Sequence, residues 1–379
     1  MFEYDFRTTD GRGSHPLIKT ALMKVSRVVL MKNSTHFQVM LSGHFKEAAS
    51  NLIELHEDTI CSAELWFRAL HGNLVDDSYL IEREEIYNAI AFSRKYFLHI
   101  EKLNEYFETY WSRLDKTNLV MDDLQELLYP AYSEAFDHPA AFAYITEKMA
   151  HTGSGHIEEH NPSRHRELHV PGRTIRKFAS IFSTHPSSNL ILTEQLNAAK
   201  GSMRREIIKG LFNPLECFCS TNCSVNEKSL KAYIEGIKLT KIWPLETMHT
   251  RSNEDIVESP GFVNWKCKIP EGACYSCRSK LEGSHIEKTG DKIRDYWDGL
   301  CLDCMDISAP KTGDLNTDYW LHNKLEDWDR NCRISHTRNT WYFSFMGRSE
   351  IMSSFNREQQ QRKKAARLAA RPRRFSDSS

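Results

Sequence analysis

Two pairs of thiols at one spacing, Cys274-Tyr-Ser-Cys277 and Cys301-Leu-Asp-Cys304, constrain this chain more than any other feature of its sequence. The pairs are separated by 23 residues. Two thiols on a tight turn reach one tetrahedral ion at about 2.3 Å, and a second pair closes its shell. The spacing predicts a structural zinc site on Cys274, Cys277, Cys301 and Cys304, with no open position for water. Such a site would supply roughly 10–16 kcal/mol of apparent binding energy to a segment with a thin apolar core. Four thiolates around the ion leave a net charge of about −2, and Lys266, Lys268, Arg278 and Lys280 stand nearby in sequence to offset it. The plainer reading is that these are free, reduced, buried thiols. Further ligands lie within reach: Cys267 and His285 flank the first pair, and Cys332 and His336 follow downstream at i,i+4 spacing, which suits one face of a helical turn. Together they number eight, enough for two ions. Cys217, Cys219 and Cys223, in "CFCSTNC", read instead as core thiols at a helix end.

The remaining sequence divides by composition. The chain has 379 residues, 40% of them apolar and 27% charged, which suits two or three soluble globular domains. No apolar run approaches the roughly 18–20 residues that span a bilayer, so no membrane is expected. The N-terminus carries acids rather than a basic-then-apolar signal. With ten cysteines, that predicts a reducing compartment, cytoplasmic or nuclear. Residues 1–116 alternate short β-like and helical signals. Ser26 and Ser34 stand where N-caps do, Gly43 where a left-handed helix end is wanted, and "NLIEL" (51–55) reads as a strand. "EDT" opens a helix ending at Gly72, and two amphipathic helices follow between Ile81 and Leu114, with Ile86, Ile90, Leu103, Phe107 and Trp111 on their apolar faces. Residues 117–260 are predicted helical, with an exposed connection over 152–172. Residues 261–350 form the cysteine-rich module, closing on a strand with Trp341, Phe343 and Phe345 on one face. Residues 351–379 form a basic, unpacked tail.

"VSRVVLMKNSTHFQVMLSGHFKEAASNLIELHEDT" followed by "LWFRALHG", Val25 to Gly72, resembles the BTB/POZ domain in the divergent form of many filamentous-fungal proteins. "YPAYSEAFDHPAAFAYIT", "GHIEEHNP" and "GLCLDCM" are similar to the extended C-terminal region of the same group. The resemblance implies an α+β fold: a small sheet covered by helices, then a helical middle region and a small zinc-stabilised C-terminal module. The opening hairpin of that sheet would come from "FEYDFRTT", the turn "DGRG" and "LIKTALMKV". It also implies a non-enzymatic adaptor that meets other proteins, either a cullin-type ubiquitin ligase or a second copy of itself. The eight-ligand arrangement resembles a RING-like ligase domain only loosely, because Cys304 and Cys332 stand far apart.

Two alternatives compete with an adaptor. "HIEEH" (156–160) matches the inverted zinc-protease pattern, with His156 and His160 as ligands and Glu159 as base. Gly155 before it and Pro162 after it oppose the helix that would bring the two imidazoles together. The second is nucleic-acid binding. From Arg357 to the end the surplus is +6, which leaves −7 on the body, so any such contact falls to the tail. In that tail "RRFS" places Ser376 after two arginines, a basophilic-kinase site whose phosphorylation would weaken attraction to acidic partners.

Overall fold

Helices account for nearly all regular structure in this computed structural model, which describes residues 2–3, 20–43, 45–170, 190–220, 222–305 and 333–335. The predicted α+β architecture with a BTB-like sheet is not what forms. The sheet among the described residues is one antiparallel pairing, Phe2–Glu3 (β1) with Leu22–Met23 (β2). "NLIEL" runs extended yet forms no strand. Its alternation is genuine: Ile53 and Leu55 pack on the core, while Leu52 is exposed. A helical surface buries one side of an extended segment as well as a sheet does, and the period-two signal cannot tell them apart.

The N-terminal helices are α1 (Arg27–Asn33), α2 (Thr35–Ser42), α3 (Lys46–Ala49) and α4 (Ile60–Leu70). Ser34 caps α2 by accepting from the Phe37 amide at 3.0 Å, and Thr59 caps α4 by accepting from Ser62 at 3.2 Å. Ser26 precedes α1 without a side-chain cap. Gly72 takes the left-handed conformation expected after α4 (φ 65°). Gly43 does not; its φ is −92°, and its N–H simply continues the ladder to the Val39 carbonyl. Helices α5 (Arg83–Lys95), α6 (Asn104–Arg113), α7 (Met121–Ala131) and α8 (Pro139–Thr152) follow. Pro139 opens α8 at its first turn, where a missing N–H costs nothing, and His138 Nδ1 accepts from the Ala141 amide at 3.0 Å.

One hydrophobic cluster draws on these helices and on residues as far as Leu302. Trp66, Ile86, Tyr87, Leu103 and Phe107 are fully buried within it. Trp66 donates its indole N–H to the Ala89 carbonyl at 2.7 Å, so the largest core side chain leaves no orphan donor. Phe107 stacks on Phe136 with centroids 4.6 Å apart.

Residues 152–170 are packed rather than an exposed connection: Ile157, Leu168 and Val170 are buried. The polar letters of this strap satisfy its own backbone. Asn197, on α9 (Leu190–Phe212), accepts from the Ile157 amide at 2.8 Å and donates to its carbonyl at 2.9 Å. Asn161 donates to the carbonyls of His165 and Leu168, and Glu159 accepts from the Val170 amide at 2.9 Å.

The C-terminal described part holds α10 (Pro214–Ser220), α11 (Asn226–Leu239), α12 (Asn253–Val257), α13 (Pro260–Val263), α14 (Tyr275–Leu281), α15 (Ser284–Arg294) and α16 (Leu302–Met305). Helix α9 packs on α8 and α15. A second, smaller cluster of Phe218, Tyr233, Ile237, Ala273, Cys277 and Leu281 forms where α10, α11 and α14 meet. The strand expected at 341–345 and the basic tail lie outside the described residues, as do Cys332 and His336.

Candidate metal centre

Three thiols converge at the edge of the smaller cluster. The sulfurs of Cys223, Cys274 and Cys277 all lie within 4.8 Å of one another, so these three residues could hold a metal ion. Cys274 is the N-cap of α14, and its Sγ accepts from the Cys277 amide at 3.5 Å. That is the local logic of a C-x-x-C pair. The first cysteine caps a helix and the second enters its first turn, which brings both sulfurs to one end of α14. Cys223 arrives from the turn leading into α11, where its carbonyl accepts from the Asn226 amide at 3.1 Å. Amide N–H groups of Cys274 and Val225, and then the neighbouring thiols, hold the Cys223 thiol below its ordinary value. Cys277 is fully buried, and the other two are half-buried.

Aromatic and polar side chains surround the thiols and tie the neighbouring helices together. Tyr233 donates to the Leu211 carbonyl at 2.9 Å, and His285 Nε2 stands 2.9 Å from the same hydroxyl, which requires His285 to donate. Burial, and then the charge of Lys280, pull His285 down to about 4, so it is neutral at physiological pH. Trp265 donates to the Leu281 carbonyl at 3.2 Å and lies 5.2 Å from the Tyr233 ring. Cys217 Sγ is 2.9 Å from Ser276 Oγ, which ties α10 to α14.

Of the residues expected to bind zinc, Cys274 and Cys277 come together, but their described partner is Cys223. Cys301 is fully buried and stands outside that group. It packs instead under α8: Gly299 (φ 83°) lets the chain pass so close that an added Cβ would sit 1.9 Å from the Ala143 carbonyl oxygen. Leu300 then donates to Thr146 Oγ1 at 2.8 Å. The intervening helix α15, about 16 Å long, carries the second pair away from the first. The Cys304 side chain, Cys332 and His336 lie outside the described residues. Near them, the Arg333 amide donates to Asp303 Oδ2 at 2.7 Å, and its guanidinium pairs with Asp137 at 2.6 Å. Cys267 stands apart, pushed up to about 11 by burial and so a protonated core thiol. It packs against Gly236, where a Cβ would meet its sulfur at 2.4 Å.

Cys223, expected from the sequence to be a core thiol, is the described partner of Cys274 and Cys277. Its signal was present in "CFCSTNC", a knot of thiols beside an isolated C-x-x-C, but spacing alone does not show which cysteine turns toward which.

The HIEEH residues do not converge. Residues 156–160 are non-helical. His156 Nε2 lies 3.4 Å from Asn197, His160 Nδ1 lies 3.4 Å from Glu126, and Glu159 is bound to the Val170 amide. Among the described residues these two imidazoles belong to no metal-binding group. No described helix is long and apolar enough to cross a membrane. No family model, curated protein or solved structure matches the chain.

Proposed function

We propose that this protein is a non-catalytic helical scaffold for other proteins, with a structural zinc ion held by Cys223, Cys274 and Cys277 fastening its C-terminal part. The convergence of three sulfurs from segments some fifty residues apart carries the reading. A zinc ion about 2.3 Å from each thiolate needs sulfurs about 3.8 Å apart, within the observed 4.8 Å spread. Soft thiolates select zinc over the hard cations. A fourth donor from the same "CFCSTNC" stretch would close the shell and leave no position for substrate. The small cluster that the ion braces has six buried members, too few to hold three helices by apolar contact alone.

The N-terminal helices supply the partner surface. Val28, Val39, Phe45 and Leu52 are more than half exposed on α1–α3 and the segment after them. The likeness of Val25–Gly72 to a protein-interaction domain supports the same reading, with helical contacts in place of sheet edges. Self-association is the partner class to test.

Metal analysis of the full chain tests the site. One zinc per chain is expected, lost in Cys223→Ser and retained in Cys301→Ser. Metal-free, fully folded protein would sink the proposal. A second equivalent lost only in Cys301→Ser would give the second thiol pair an ion of its own. Comparing Cys217→Ser with Cys219→Ser assigns the fourth donor. For the partner surface, the wild type is expected to sediment above monomer mass and a Val28→Glu/Phe45→Glu variant at it; a monomeric wild type would remove self-association.

A further inference from the structure

A cleft of about 420 Å³ lies between α4, α5 and the 161–168 segment, far from the thiols in the chain and in none of the roles described above. Its floor carries Asn88, which is 6% exposed and whose carboxamide finds no hydrogen-bond partner among the described residues. The Asn88 amide atoms are not sealed from solvent but open onto the cleft, where an entering ligand can meet them. Here the amide faces a cavity large enough for a small molecule. Phe92, beside it, provides an apolar wall.

The rim is balanced in formal charge, with Arg94, Lys95 and Arg164 against Glu57, Asp58 and Glu167. Lys95 pairs with Asp58 at 2.9 Å, and His165 lies 3.6 Å from Glu167. Two guanidiniums remain, Arg94 and Arg164. Arg94 donates to the neutral Tyr129 hydroxyl at 2.6 Å, and Arg164 to the backbone carbonyl of Glu57. Neither meets a carboxylate among the described residues. Each has one recorded bond against five donors, so both keep N–H groups for a further acceptor. Glu57 and Glu167 are the opposing charges left at the rim without a Lys or Arg partner among the described residues.

We propose that this cleft binds a small ligand bearing an oxyanion, a carboxylate or a phosphate, clamped by Arg94 and Arg164 with Asn88 hydrogen-bonding the buried end. Two arginines on one oxyanion give the forked, charge-assisted geometry that guanidinium favours. Asn88 can both donate and accept, so it selects a ligand with a polar group behind its charge. This site is independent of the metal reading, and either stands if the other fails.

Isothermal titration of the full chain with citrate and, separately, with inorganic phosphate, at matched ionic strength in sodium chloride, tests it. Saturable binding at one site per chain is expected with at least one of them. Citrate alone marks a carboxylate ligand, and phosphate alone a phosphorylated one. Arg94→Ala and Arg164→Ala should each weaken that binding tenfold or more. Asn88→Leu should weaken it severalfold while the thermal midpoint stays level, because the carboxamide makes no hydrogen bond to the described residues. No saturable binding of either ion overturns the proposal. So does binding that survives unchanged in the double arginine variant, or an Asn88→Leu protein that binds as wild type.

Discussion

Around Trp66, Ile86 and Phe107 the chain has helices on every side; around Phe218, Tyr233 and Leu281 it has three short ones, α10, α11 and α14. The first region closes on itself with large aromatic side chains, and Trp66 and Tyr87 find backbone carbonyls for their polar tips. The second has few apolar members, and a group of sulfurs stands at its edge. A region with ample apolar surface can fold by burial alone, whereas one with less has more to gain from the proposed bond of another kind. The experiments that separate the two regions start with that bond.

Removing the ion should have the largest effect. In Cys277→Ser, amides of α11 and α14 are expected to lose exchange protection a hundredfold or more, about 3 kcal/mol, while α4–α8 keep theirs. Equal loss in both regions would show that they unfold as one. Truncating the main core is the converse. Phe107→Ala should cost about 3–5 kcal/mol and lower the protection of α4–α8 most.

Acidity should act on the two regions with opposite sign. Burial pushes Glu159 up to about 7, against the pull of the Val170 amide and His169. Its native form holds a proton that the unfolded chain releases near 4.5. It therefore contributes stability that is present below pH 4.5 and lost as pH rises to about 7. His285, pulled down to about 4, does the reverse: its contribution is present above pH 6.5 and lost as pH falls toward 4. Each slope is at most about 1.4 kcal/mol per pH unit. Site-resolved exchange between pH 4.5 and 6.5 should show the strap loosening and the small cluster tightening as pH rises, and Glu159→Gln should flatten the first trend alone. The smallest effect is at a helix start: Thr59→Ala should cost about 1 kcal/mol, read as a lower thermal midpoint.

Helix starts were legible where chemistry is local. Ser34 and Thr59 cap what they precede, Gly72 turns left-handed, and the apolar faces of α5 and α6 bury Ile86, Ile90, Leu103, Phe107 and Trp111. The sheet was misread because Ile53 and Leu55 alternate against helices rather than beside another strand. The 152–172 segment looked like a connection because its polar letters serve its own main chain. At the three-thiol group, the closeness of Cys274 and Cys277 was legible from their spacing. The approach of Cys223 was not, because it depends on how α11 lies against α14, a property of tertiary packing that no local pattern encodes.

The pair of hydrogen bonds from Asn197 to Ile157 has a consequence for variation. The carboxamide grips main-chain atoms, standing in for a neighbouring strand one residue long, and so it is indifferent to which side chains the strap displays toward water. Exposed letters such as Glu158 can change without unseating the segment. Asn197 itself cannot become aspartate without losing the donor half of the grip. The strap around Ile157 is thus gripped from a position forty residues further along the chain, and drift should be permitted in the held letters and forbidden in the holder.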